Sequence, residues 1–146
     1  MLPPCVPDQP LSATRQPVHA PHDALAVFLQ ASLGEQAETI VLVLDHRHRG
    51  SVCLVVSSAL SPDALVTLLV ALGRADRQVG ALVVASTARV STSPSAQDEL
   101  TWFEARERLD DLGVDLLDWF LIVGGQAGSM AELTDSQCRW RSCQRP

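Results

Sequence analysis

The stretch "LVVASTARVSTSPSAQDELTWFEARERLDDLGVDLLDWFLIVG", residues 82–124, decides the fold because it spells a complete strand–loop–helix–strand unit. Its two ends are near-continuous apolar runs, as expected of strands buried on both faces. Its middle changes period. Ser95 precedes the run, Asp98 and Glu99 follow at capping distance, and Gly113 closes it, so a helix is predicted over 95–113. Trp102, Phe103, Ala105, Arg106, Leu109 and Leu112 give that helix a partly apolar face. A strand, a helix long enough to cross over and a second strand predict a parallel pair with the helix laid on the sheet.

Working outward, "VGALVVAS" (79–86) completes the first of those strands. "SPDALVTLLVALGRA" (61–75) carries Ser61 as a helix cap and Pro62 at the first helical position. It is apolar nearly all round, which predicts a well-buried helix. "ETIVLVLD" (38–45) and "SVCLVVS" (51–57) are rich in branched residues and too short for core helices. The intervening "HRHRG" suits a β-hairpin. "HDALAVFLQASL" (22–33) spaces Leu25, Phe28, Leu29 and Leu33 as a helix does, with Gly34 as its stop. "SMAELTD" (129–135) fits either a short edge strand or one helical turn. The order α-β-β-α-β-α-β predicts an α/β domain built on a mixed sheet. Residues 1–20 hold five of the nine prolines and are expected to form a flexible arm. The domain is placed at 21–134, with a polar C-terminal tail at 135–146.

A chain of 146 residues, 47% of them hydrophobic, is long enough for one domain with a real core. The formal net charge is −6 and all eleven basic residues are arginine, without a basic run. That balance argues against nucleic acid as a partner. Arg139, Arg141 and Arg145 leave a local basic patch open. Of the four cysteines, Cys53 sits in an apolar run and is expected to be a buried thiol. Cys138 and Cys143 lie in the polar tail, where a disulfide or a weak metal site is open; with Cys5 they form no CxxC pair. No signal-peptide pattern opens the chain, and no apolar run nears the ~18 residues of a membrane span. A cytoplasmic protein without membrane attachment is the expectation.

Several of these segments resemble, in order, the RadC-like JAB/MPN (JAMM) domains of bacteria. Pro94 and Ser95 match the end of that family's Pro-Thr-Pro-Ser loop. "DLGVDLLDWFLIVG" (111–124) is similar to its LGI-x-LLDH-x-I-I-G strand. "VLVLDHRHRG" resembles its LFLD-x-x-x-R hairpin, with Asp45 and Arg49 at the matching positions, and "GSMAEL" is like its FVSL segment. The resemblance covers residues 22–134 and implies a cytidine deaminase-like core, a mixed sheet flanked by helices. It also implies a zinc metallopeptidase chemistry. Two imidazoles and an Asp hold zinc with one position open for water, a Glu takes the water's proton, and a Ser steadies the oxyanion.

Position by position, this chain departs from that pattern. The two histidine positions fall on Ala85 and Thr87, the following Pro on Ala88 and the loop acid on Ser91. Ser95 and the third ligand, Asp98, are kept, and Glu38 is the candidate for the Glu. One carboxylate cannot hold zinc against water. The segment between Asp45 and Pro62 is also shorter than in the family. The helix-hairpin-helix that often precedes the domain has no counterpart in the proline-rich residues 1–20, which weakens any DNA-repair link. The resemblance therefore implies a degenerate, catalytically inactive member: a pseudoenzyme without cofactor, acting as a protein-binding or scaffold module, with another protein or itself as partner.

Plainer roles compete at each position. Ser95 and Asp98 make an ordinary helix start, Glu38 an ordinary residue before a strand, and Trp102, Phe103, Trp119 and Phe120 ordinary packing. Trp140, between Arg139 and Arg141, invites a partner contact or packing of the chain on itself. His19 and His22 are expected to be solvated. His46 and His48 are two apart, so on a strand they would share a face and could replace the lost pair. A zinc peptidase with ligands rearranged to His46, His48 and Asp98 is the enzyme alternative, and a DNA-repair-associated accessory protein, by fold analogy alone, is the other. Arg47 and Arg49 beside them disfavour a second cation there.

Overall fold

The computed structural model describes residues 17–31, 37–87 and 89–143. Most of the proline-rich arm, Cys5, Leu33, Gly34, Ala88 and Arg145 lie outside the described residues. The described strands are β1 (Thr39–Asp45), β2 (Gly50–Val56), β3 (Val79–Ser86), β4 (Asp115–Val123) and β5 (Gln126–Ser129). The helices are α1 (Pro21–Ala31), α2 (Pro62–Ala75), α3 (Ala96–Asp110) and α4 (Met130–Leu133). A 3₁₀ turn, Arg141–Cys143, ends the described chain. The strands form one sheet in the order β2-β1-β3-β4-β5. β3 and β4 run parallel, joined through α3, and every other pair is antiparallel. The protein is thus a mixed α/β domain with helices on both faces of a five-stranded sheet.

Strand alternation splits the apolar residues into two cores. Val41, Val43, Leu82 and Val84 meet Leu65, Val66, Leu69 and Val70 of α2 and Trp102, Ala105 and Leu109 of α3. Ile40, Leu42, Leu44, Ala81, Val83 and Ala85 face the other way, onto Ala24 and Phe28 of α1. The central strands β1, β3 and β4 are buried on both faces, which explains their unbroken apolar sequences. The caps follow the sequence closely. Ser61 Oγ accepts from the Ala64 N–H at 3.2 Å. Gly113 follows α3 at φ +75°, a left-handed turn that disfavours a side chain.

Three expectations change. Val18, assigned to the loose arm, is 1% exposed, and its N–H donates to the His48 carbonyl at 2.8 Å. Pro17 bridges Arg49, so Pro17 and Val18 pack against the β1–β2 turn. The tail is not merely polar: Trp140 is 2% exposed, packs against Phe120 and is enclosed by the Cys138–Cys143 disulfide. Composition averages hide a single apolar side chain that finds a slot. The helix α2 buries one face only, and its exposed positions are small or polar (Ala64, Thr67, Ala71). The exposed large apolar side chains are elsewhere, among them Leu29, Leu100, Leu133 and Phe103, the last at 49%. "SMAELTD" is divided, with Ser129 ending β5 and Met130–Leu133 forming the helical turn. Among the described residues no helix is long and apolar enough to cross a membrane.

Candidate functional site

The end of β3 and the start of β1 frame a cavity of about 100 Å³, lined by Glu38, Thr39, Leu60, Thr87, Arg89 and Trp119 among others. The sheet register makes it. Thr39 pairs with Ser86, which brings the next residues, Glu38 and Thr87, face to face. The Glu38 N–H donates to Thr87 Oγ1 at 2.9 Å, and the Thr87 N–H donates to the Glu38 carbonyl at 3.0 Å. Glu38 is 3% exposed, so it is no ordinary strand-edge carboxylate. Ser86 Oγ accepts from the Trp119 indole N–H at 2.9 Å and closes the inner wall.

Ser95 and Asp98 form a full capping box. Ser95 Oγ accepts from the Asp98 N–H at 3.1 Å, and Asp98 Oδ2 accepts from the Ser95 N–H at 2.8 Å. The same Oδ2 accepts from Arg89 Nη2 at 2.5 Å. Arg89 is itself anchored, because its N–H donates to the Ile122 carbonyl of β4 at 3.1 Å. A guanidinium therefore stands where an isolated, nearly buried carboxylate would need a cation. Ala85 is fully buried in the opposite core with Phe28 and Phe120. Of the two positions that the resemblance aligns with the histidines, only Thr87 lines the cavity.

His46 and His48 lie in a turn rather than on a strand, and they part company. His46 is exposed, with Nε2 2.8 Å from the Arg77 carbonyl. His48 takes a left-handed conformation, φ 61°, and is 6% exposed. Burial, then the Arg141 charge, pushes its pKa below the usual imidazole value. Asp45 organises the turn through Oδ1, which accepts from the N–H groups of Arg47 and Arg49 at 2.8 and 2.9 Å. Burial acts to raise the Asp45 pKa, but these donors and the two arginine charges outweigh it and lower it. The turn packs on Gly80 at the start of β3, where an added methyl would come within 2.6 Å of His46 Cα. From there to Thr87 the strand extends about 20 Å. His46 and His48 therefore lie at the other end of β3 from Asp98. Among the described residues no three of His, Cys, Asp and Glu gather as a metal group.

Two residues escaped the sequence reading. Arg89 lay unremarked in a Ser/Thr-rich loop, and only the loop's return to α3 reveals its partner. Asp118 carried a signal, an acid inside an apolar strand. A β-bulge opposite Leu82 and Val83 inserts Leu117 beside it. Asp118 is 1% exposed and accepts from the N–H groups of Trp119 and Ala131 and from Ser129 Oγ. Burial raises its pKa, and those donors partly oppose the rise. The Trp140 indole N–H lies close enough to favour the anion, though without good hydrogen-bond geometry. Asp118 thus ties β5 and α4 to β4, beneath a wider cavity of about 380 Å³ walled by Glu132, Asp135, Trp140 and the disulfide. Neither a family model nor a curated protein matches the chain.

Proposed function

We propose that this chain is a catalytically inactive relative of the RadC-like JAB/MPN domains and works as a protein-binding or scaffold module. The observation that carries the reading is the Arg89–Asp98 pair. In the metallopeptidase pattern this Asp lends its charge to zinc. Here a guanidinium and a helix cap use the carboxylate. Ala85 and Thr87 offer no imidazole, and the nearest pair of histidines sits at the far end of β3. A lone carboxylate that already holds an arginine gains little from a metal and would lose the ion pair to bind it. The mixed sheet flanked by helices supports the fold part of the proposal.

The test is metal content. The untagged protein is incubated with zinc, dialysed and analysed for bound metal. The expected result is far less than one zinc per chain. Stoichiometric zinc that disappears in a His46→Ala/His48→Ala variant would overturn the proposal and restore a peptidase with rearranged ligands.

A further inference from the structure

Three chain segments converge on His46 and bring four exposed arginines to one end of the molecule. Arg47 and Arg49 flank His48 in the β1–β2 turn. Arg77, between α2 and β3, is held there by its carbonyl contact with His46 Nε2. Arg141 comes from the disulfide-closed loop and donates from Nη2 to the His46 carbonyl at 2.9 Å. All four are exposed. Among the described residues the side chains of Arg47, Arg49 and Arg77 make no ion pair or hydrogen bond. Asp45 and Asp76 sit in the same turns, bonded to the backbone N–H groups of Arg47, Arg49 and Gln78, and Asp45 also attracts the Arg47 and Arg49 charges, so four guanidiniums face two carboxylates. Arg139 does not join the patch, because Asp110 and Asp115 hold it.

This segregation stands out in a chain of net charge −6. The exposed side of α3, by contrast, carries Glu99, Glu104, Glu107 and Asp110. We infer that the Arg47–Arg49–Arg77–Arg141 end is a docking surface for an acidic polypeptide segment of a partner protein. The chemistry fits carboxylates: a guanidinium offers a planar pair of donors to each one. It fits nucleic acid less well. Among the described residues the one exposed Phe or Trp is Phe103, on α3, so no large aromatic platform for base stacking lies at this end. The net negative charge also opposes a long polyanion. The inference rests on the proposed binding role and gives its partner a chemistry.

The test uses the full, oxidised protein and fluorescence anisotropy. The probes are a short labelled peptide of alternating Asp and Glu, its Asn/Gln counterpart and a single-stranded oligonucleotide of matched length. The acidic peptide is expected to bind, the neutral one not, and binding should weaken as salt rises from about 50 to about 200 mM. Arg47→Ser/Arg77→Ser should weaken it about tenfold, with the thermal midpoint unchanged. Arg108→Ser, on α3, should leave it unaltered. No binding at low salt, equal binding by the double variant, or tighter binding of the oligonucleotide would each overturn the inference. Those outcomes leave the zinc measurement untouched, so failure here is distinguishable from failure of the proposed function.

Discussion

Asp98→Ala removes two acceptor contacts at once. The Ser95 N–H loses its capping partner, which costs about 1 kcal/mol. Arg89 loses its ion pair. Its side chain is 29% exposed, so water compensates in part and the loss is about 1 kcal/mol. The sum, about 2 kcal/mol, should lower the urea midpoint by about 1 M at a slope of about 2 kcal/mol per M. The decisive comparison is the same measurement in EDTA. A carboxylate that serves a cap and an arginine costs the same with or without chelator. One that serves a metal loses its effect once the metal is gone. A double-mutant cycle with Arg89→Ala should give a coupling of about 1 kcal/mol. Disappearance of the Asp98→Ala effect in EDTA would refute the reasoning, and so would a coupling below about 0.3 kcal/mol.

Three further outcomes are expected. Cys143→Ser should destabilise the protein by about 2 kcal/mol, the closure entropy of a six-residue loop, and dithiothreitol should reproduce the loss in the wild type; equal unfolding midpoints with and without reductant would count against it. The His48 pKa is lowered from its ordinary 6.5, so the native state favours the neutral ring, and the associated stability is complete above pH 6.5 and lost as pH falls through the folded value. His48→Asn accepts the same left-handed backbone, and its denaturation curves should show a flatter pH dependence than wild type below pH 6.5. Gly128→Ala would drive its methyl into the Thr92 carbonyl and should cost about 2 kcal/mol or more, read as a fall in thermal midpoint.

The elements were largely legible. Ser61 and Ser95 cap α2 and α3 as their neighbours predicted, and the run 79–86 is β3 to the residue. Local periodicity and cap chemistry act within a few residues, so a linear reading captures them. The candidate site was legible only in pieces. Glu38, Thr87, Ser95 and Asp98 could be named, but neither the Glu38–Thr87 pairing nor the arginine on Asp98 follows from spacing. Arg89 lies nine residues from Asp98 across an irregular loop, and no period links them. For Trp140 the sequence left a partner contact and packing of the chain on itself open, and only the slot against Phe120 decides for the second.

The sequence by itself determined the order of strands and helices through β4, the two-sided burial of β3 and β4, and the absence of imidazole at positions 85 and 87. These are properties of composition and short-range pattern. The tertiary structure decided which charges met. It gave Asp98 to Arg89, separated His46 and His48 from that carboxylate by the length of β3, and brought Arg77 and Arg141 to the hairpin turn. Electrostatic contacts depend on distance in space, and the chain sets those distances only when the sheet register and the disulfide loop have closed.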